Sequence, residues 1–208
     1  MKVEIKICGF TEPVGLRAAV EAGVDSVGLV LDPSPRKLSI GQAIELAKLV
    51  PEHVELIAVC GRPSVEEITT IAERLRPDAI QLMADALPPA GHGLTMLPAF
   101  EDGPDLLDRV RMYCLKHPDP RPVVLADGPQ PGMGIPADWS RVEKLADSTR
   151  LVLAGGLTPD NVGRAIRRMN LHGVDVSSGV ERSPGVKDPA QVRAFVDAVR
   201  SAEQRMVG

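Results

Sequence analysis

Short apolar runs rich in valine, isoleucine and leucine alternate with amphipathic stretches along almost the whole chain. The runs lie at 3–8, 26–31, 54–60, 79–82, 94–99, 122–126, 151–154 and 174–177. Their length and β-branched content predict buried strands. Between them, at 13–22, 41–50, 64–74, 104–116, 137–147, 159–169 and 189–202, the sequence reads as helix. Several of these segments open on a start signal: Thr11-Glu12-Pro13, Ser39-Ile40-Gly41, Asp188-Pro189. One connector breaks the alternation. After Leu82 the chain reads MADALPPAGHG, too rich in proline and glycine for a full helix, so the fourth helix is expected to be short or missing. Strand-plus-helix units of roughly 25 residues, eight times over, predict an α/β chain forming a single (βα)8 barrel domain over 1–208. An open doubly wound sheet of six or seven strands is the alternative.

Composition sharpens this picture. Aromatic residues make up 2% of the chain, so the core is aliphatic, as suits a parallel sheet buried on both faces. The net charge of −4, with no basic face or arm, argues against nucleic acid as a partner. Any anion must therefore be held by local features. No apolar run approaches the ~18 residues of a membrane span, and MKVEIKICGF does not read as a signal peptide. Cys8, Cys60 and Cys114 have no metal-ligand spacing and leave an odd thiol, which predicts a reduced, cytoplasmic setting and no metal.

In such barrels chemistry gathers at the C-terminal ends of the strands, and the last two loops commonly hold phosphate. The stretch from Leu151 to Glu181 contains those loops. Its apolar runs open into Gly155-Gly156 and Ser178-Gly179, with a helix start at Thr158-Pro159-Asp160 between them. Small residues and helix starts direct backbone N–H groups at an anion, so the two turns read as a phosphate cradle. Two ordinary strand-to-helix turns would read the same way.

Other strand ends carry candidate chemistry. Cys8 ends the first strand and is a candidate general base, Cys60 ends the third and competes with it, and either is otherwise a small buried hydrophobe. Cys114 falls on a helix. The second strand leads to Pro33-Ser34-Pro35-Arg36, where a proline-framed guanidinium suits carboxylate capture unless it is merely solvated. Arg62 is a weaker anion contact. The sixth strand delivers Asp127, which either caps a turn or acts as an acid. His53, His92, His117 and His172 fall in loops or at strand starts and form no evident dyad.

Taken together, KICGFT at 6–11, Ser-Pro-Arg at 34–36, Gln81-Leu82, Asp127, AGGLTPDNV at 154–162, VDVSSGVE at 174–181 and Gly185-Val186-Lys187-Asp188 resemble the phosphoribosylanthranilate isomerases of tryptophan biosynthesis. The resemblance spans essentially the whole chain. It implies an Amadori rearrangement of N-(5-phosphoribosyl)anthranilate to the 1-deoxyribulose 5-phosphate, with Cys8 as general base and Asp127 as general acid. It also implies that Arg36, Gln81 and Asp175 contact substrate and that Gly155, Gly156, Ser178 and Gly179 hold its phosphate. No cofactor is implied, and the partner is a small phosphorylated molecule; the family includes monomers and homodimers. Three stretches depart from the family pattern. Met83-Ala84 replaces His-Gly, Pro131-Gly132-Met133-Gly134 replaces Gly-Gly-Thr-Gly, and Val59-Cys60-Gly61-Arg62 replaces Phe-Val-Asn. They keep two alternatives open: an isomerase for another phosphorylated aminosugar, and a sugar-phosphate-binding protein without chemistry.

Overall fold

The computed structural model describes residues 2–88 and 93–207. Eight parallel strands close into a barrel: β1 (Glu4–Cys8), β2 (Ser26–Val30), β3 (Glu55–Val59), β4 (Ala79–Met83), β5 (Thr95–Glu101), β6 (Val123–Asp127), β7 (Arg150–Leu153) and β8 (Gly173–Val176). Each pairs with the next, and β8 returns to β1 with Lys6 opposite Asp175. All eight lie within two residues of the positions the apolar runs predict.

Helices cover the outside: α1 (Pro13–Ala22), α2 (Ile40–Ala47), α3 (Val65–Arg74), α4 (Leu106–Lys116), α5 (Trp139–Val142), α6 (Pro159–Arg168) and α7 (Pro189–Val207). Between β4 and β5 the described residues hold one 3₁₀ turn, Ala84–Ala86, and no α-helix. Residues 89–92, His92 among them, lie outside the described residues. Ser39 and Ser64 start α2 and α3 with reciprocal capping boxes, and the Asp188 carboxylate accepts from Ala190 N at 2.8 Å to start α7. The helix expected over 137–147 is shorter than its pattern. Asp138 caps Ser140 N, and after Val142 the chain tightens into a 3₁₀ turn at Glu143–Leu145, where buried Thr149 donates its hydroxyl to Leu145 O.

The barrel divides the core in two. Outward residues such as Ile5, Ile7, Leu29, Ile80, Val124 and Leu151 pack under the helices, while Ile57, Ala79, Met83, Leu97, Ala99, Leu125, Val152 and Ala154 fill the lumen from β3 to β7 and the turn that follows it. The opposite wall, β8-β1-β2, is different. Its inward positions include Asp175, Lys6, Cys8, Ser26 and Gly28, with Val30 above them at the mouth. The lumen therefore has an aliphatic side that supplies stability and a polar side that carries charge; truncating a filled aliphatic position such as Leu125 to alanine costs about 2–5 kcal/mol.

Candidate active site

The polar wall leads upward to a cavity of about 210 Å³ at the C-terminal mouth. Cys8, Arg36, Gln81, Glu101, Asp127 and Asp175 all line it. A smaller recess of about 40 Å³ adjoins it, lined by Gly155, Gly156, Ser178 and Gly134 and sharing Asp127, Asp175 and Ser177 with the mouth. A larger cavity of about 780 Å³ runs along α4. The mouth is the better candidate because perturbed titratable groups and unpaired polar atoms converge there.

Cys8 is buried at the end of β1. Burial pushes its thiol up, Lys6 pulls it down, Asp175 pushes it up again and Lys187 pulls it down; the result lies above the ordinary thiol value. Lys6, two residues earlier on the same strand, faces the same lumen and donates to Asp175 Oδ2 at 2.9 Å. Burial alone would strip this lysine of its charge, but Asp175 and Cys8 more than offset that, so it stays a cation. Among the described residues no cation offsets burial at Cys60. Burial, then the charge of Asp32, pushes its thiol up to about 12, which leaves Cys8 as the thiol with a counter-ion at hand.

Asp127 ends β6 opposite Glu101 of β5. Burial, then the charge of Asp175, raises its carboxyl to about 6, against smaller pulls from the Gly128 N–H at 2.7 Å and from Lys6. A carboxyl raised to about 6 keeps a fraction of its protonated form near neutrality, and that form is suited to proton donation. Two acceptors at the mouth, Gln81 Oε1 and Asp175 Oδ1, are buried without a partner among the described residues. Buried orphan acceptors are uncommon, and hydroxyls of a bound polyol would satisfy both.

Gly155 and Gly156 take φ of +81° and +63°, and both are closely approached. A Cβ on Gly155 would lie 2.4 Å from Gly128 N, and one on Gly156 within 2.9 Å of Pro136. Only glycine fits. Asn161 braces this turn, donating to Gly156 O at 2.9 Å while its amide oxygen accepts from Thr158 N at the start of α6. Ser178 lines the other side of the recess at the start of a short 3₁₀ turn, while Gly179, next in that turn, lies behind the lining and packs against Leu157 O, where a Cβ would stand at 1.8 Å.

Arg36 is drawn inward instead of being solvated; its guanidinium is gripped by Glu181 and donates to Gly132 O. Arg62 turns outward, pairing with Asp85 on the surface. His172 sits by Glu4 at the other end of the barrel and His117 stacks near Tyr113. Met83, in the family's histidine position, joins the lumen cluster, and Met133 is exposed on the β6 loop. Sequence reasoning left Lys6, Glu101, Glu181 and Lys187 without roles. For Lys6 a signal existed: a lysine two positions from a candidate base on a strand shares its face.

A family model described as N-(5'phosphoribosyl)anthranilate (PRA) isomerase matches residues 5–198. The chain belongs to this family. An N-(5'-phosphoribosyl)anthranilate isomerase of Pseudomonas aeruginosa strain UCBPP-PA14 is 41% identical over 208 residues, covering 96% of each chain. Among solved structures, the phosphoribosyl anthranilate isomerase of Thermotoga maritima superposes with a TM-score of 0.84 at 30% identity, covering 96% of this chain and 99% of that one. A phosphoribosyl anthranilate isomerase in complex with reduced 1-(o-carboxyphenylamino)-1-deoxyribulose 5-phosphate gives 0.82 at 30% identity and the same coverage. The family resemblance in the motifs and the barrel expected from the pattern thus both hold.

Proposed function

We propose that this chain catalyses the isomerisation of N-(5-phosphoribosyl)anthranilate to 1-(2-carboxyphenylamino)-1-deoxyribulose 5-phosphate in tryptophan biosynthesis. The observation that carries this reading is the pairing, in one cavity, of a carboxyl held near pKa 6 with a thiol flanked by a buried lysine. In this mechanism the Asp127 carboxyl gives its proton to the furanose ring oxygen as the C1′–O bond breaks, leaving a Schiff base. The Cys8 thiolate, with Lys6 as counter-ion, removes the C2′ proton. The electron pair moves into the C1′–C2′ bond, and the enolamine then tautomerises to the ketone. Protons are only redistributed, so the isomerisation balances without an oxidant or reductant.

The phosphate of the substrate would occupy the recess at Gly155, Gly156, Ser178 and Gly179, where backbone N–H groups serve in place of a positive field. Gln81 and Asp175 would accept from the sugar hydroxyls, and Arg36 would meet the ring carboxylate. All these residues come from one copy of the chain, so a monomer and a homodimer would each hold a whole site. No described helix is long and apolar enough to cross a membrane; with three free thiols, a cytoplasmic location is part of this proposal. Met83 and Met133 leave the acid and base untouched, which favours this substrate over another aminosugar, and the acid and base themselves favour catalysis over binding alone.

The test is turnover. With phosphoribosylanthranilate formed in place from anthranilate and phosphoribosyl pyrophosphate, its fluorescence should decay quickly with the native chain and not with Cys8→Ala. Retained decay in the variant would remove the base assignment. No decay with the native chain would remove the substrate.

A further inference from the structure

Beyond the 3₁₀ turn at Ser178, the chain continues as a short hairpin, β9 (Glu181–Ser183) and β10 (Val186–Lys187). This hairpin brings Glu181 and Lys187 to the guanidinium of Arg36. Arg36 Nε donates to Glu181 Oε1 and Nη2 donates to Oε2, each at 2.8 Å, while Nη1 donates to Gly132 O at 3.1 Å. Lys187 Nζ donates to the same Glu181 Oε1 at 2.7 Å and to the backbone and hydroxyl oxygens of Ser177 at 3.1 and 3.2 Å. The three side chains are 9%, 5% and 1% exposed for Arg36, Glu181 and Lys187.

Guanidinium offers five N–H donors in a rigid plane. Three are used among the described residues, and the remaining two sit one each on Nη1 and Nη2. The stem is fixed as well. Gly9, directly after Cys8, has φ of +83°, and a Cβ there would stand 2.3 Å from Arg36 Cδ, so the turn is left bare for the arginine chain. One carboxylate between two cations leaves the cluster with a net positive charge beside the mouth that Arg36 lines.

We propose that Glu181 is a positioning residue: held by Lys187, it grips one edge of the Arg36 guanidinium and so presents the free N–H groups of Nη1 and Nη2 to the carboxylate of the substrate's ring. This rests on the reading above, in which Arg36 meets that carboxylate. A free arginine samples many rotamers, and ordering it at the moment of binding weakens affinity; an arginine fixed beforehand avoids that loss.

A double-mutant cycle tests it, with KM and kcat read separately. Arg36→Ala, Glu181→Asp and Glu181→Gln are each expected to raise KM about tenfold or more, with kcat changing less. Glu181→Asp keeps the charge and the partner for Lys187 but withdraws the carboxylate from the guanidinium edge. In the Arg36→Ala background, neither Glu181 change should raise KM further. For phosphoribosylaniline, which lacks the ring carboxylate, binding should be alike in native and Glu181→Asp chains. Near-native KM in Glu181→Asp, with Arg36→Ala impaired, would overturn the positioning role alone. Additive effects in the double variant would also overturn it. Near-native KM in Arg36→Ala would instead remove the carboxylate contact on which the proposal rests.

Discussion

Cys8 and Gly28 face each other on neighbouring strands so closely that a Cβ on Gly28 would lie 2.8 Å from the thiol sulfur and 3.2 Å from the Cys8 Cα. The missing side chain in β2 is what gives the thiol its seat. Gly28→Ala is therefore expected to push Sγ out of line with the mouth. Overpacking of this kind costs about 1–3 kcal/mol, or a melting point lower by roughly 2–4 °C for each kcal/mol at this size. Turnover should fall more than stability does, by at least about tenfold, because a small displacement of a reacting group is amplified in rate. Kinetics and a melting curve on the same preparation check this; an unaltered kcat would mean that the thiol position is not critical.

The pH profile of kcat/KM follows from the two titrating groups. The reaction needs Asp127 protonated and Cys8 ionised. Asp127 titrates at about 6, and Cys8 above the ordinary thiol value of 9.0. Below pH 6 a rise in pH adds thiolate without removing the acid, so the rate climbs. Between the two values the gain of thiolate cancels the loss of acid, which makes a plateau. Above the Cys8 value only the loss remains and the rate falls. In Asp127→Asn the residual rate should keep rising with pH where the native profile is flat. A phosphate ester also titrates at about 6, so a break that survives in Asp127→Asn belongs to the substrate.

Strand positions were legible because parallel strands buried on both faces leave unbroken aliphatic runs, as at Ile5–Cys8 and Val124–Ala126. Cys8, Asp127 and the glycine turns were legible because they end those runs. What stayed hidden was pairing. Nothing local in Glu181 or Lys187 says that they will grip Arg36, about 145 residues earlier for the first of them; the contact exists only once β8 closes against β1. The same closure sets Asp175 opposite Lys6 and so determines the state of Cys8. Helix α5 is shorter than its pattern because the Asp138 cap sets its start and the hydroxyl of Thr149 bonds back to Leu145 O beyond its end.

Gly156→Ala tests the recess without touching acid or base. The left-handed backbone at φ +63° and the contacts with Pro136 under 3 Å leave no room for a methyl group, so the turn must shift. The expected outcome is a stability lowered by about 1–3 kcal/mol, read as a lower melting point, and a KM raised about tenfold or more. Inorganic phosphate should raise the melting point of the native chain by mass action and that of the variant much less. A variant as well protected by phosphate as the native chain would place the anion elsewhere.

Asp127→Asn should lose turnover and gain stability. Burial and the Asp175 charge lift this carboxyl from its ordinary 3.8 to about 6 in the folded chain, so folding favours the protonated form. That contribution is fully present below pH 3.8 and lost as pH rises through 6. At pH 7 the folded chain thus holds an ionised carboxylate that costs about 3 kcal/mol relative to the unfolded chain. Asparagine keeps an oxygen to accept from Gly128 N and carries no charge to desolvate. Melting curves should show the variant more stable than the native chain at pH 7–8, by up to that amount, with the advantage shrinking below pH 6 and absent near pH 4. A site that sacrifices stability for a reactive group behaves in this way. A variant less stable than the native chain at neutral pH would mean that Lys6 and Gly128 more than offset the burial of the carboxylate, and that Asp127 is not held as an acid.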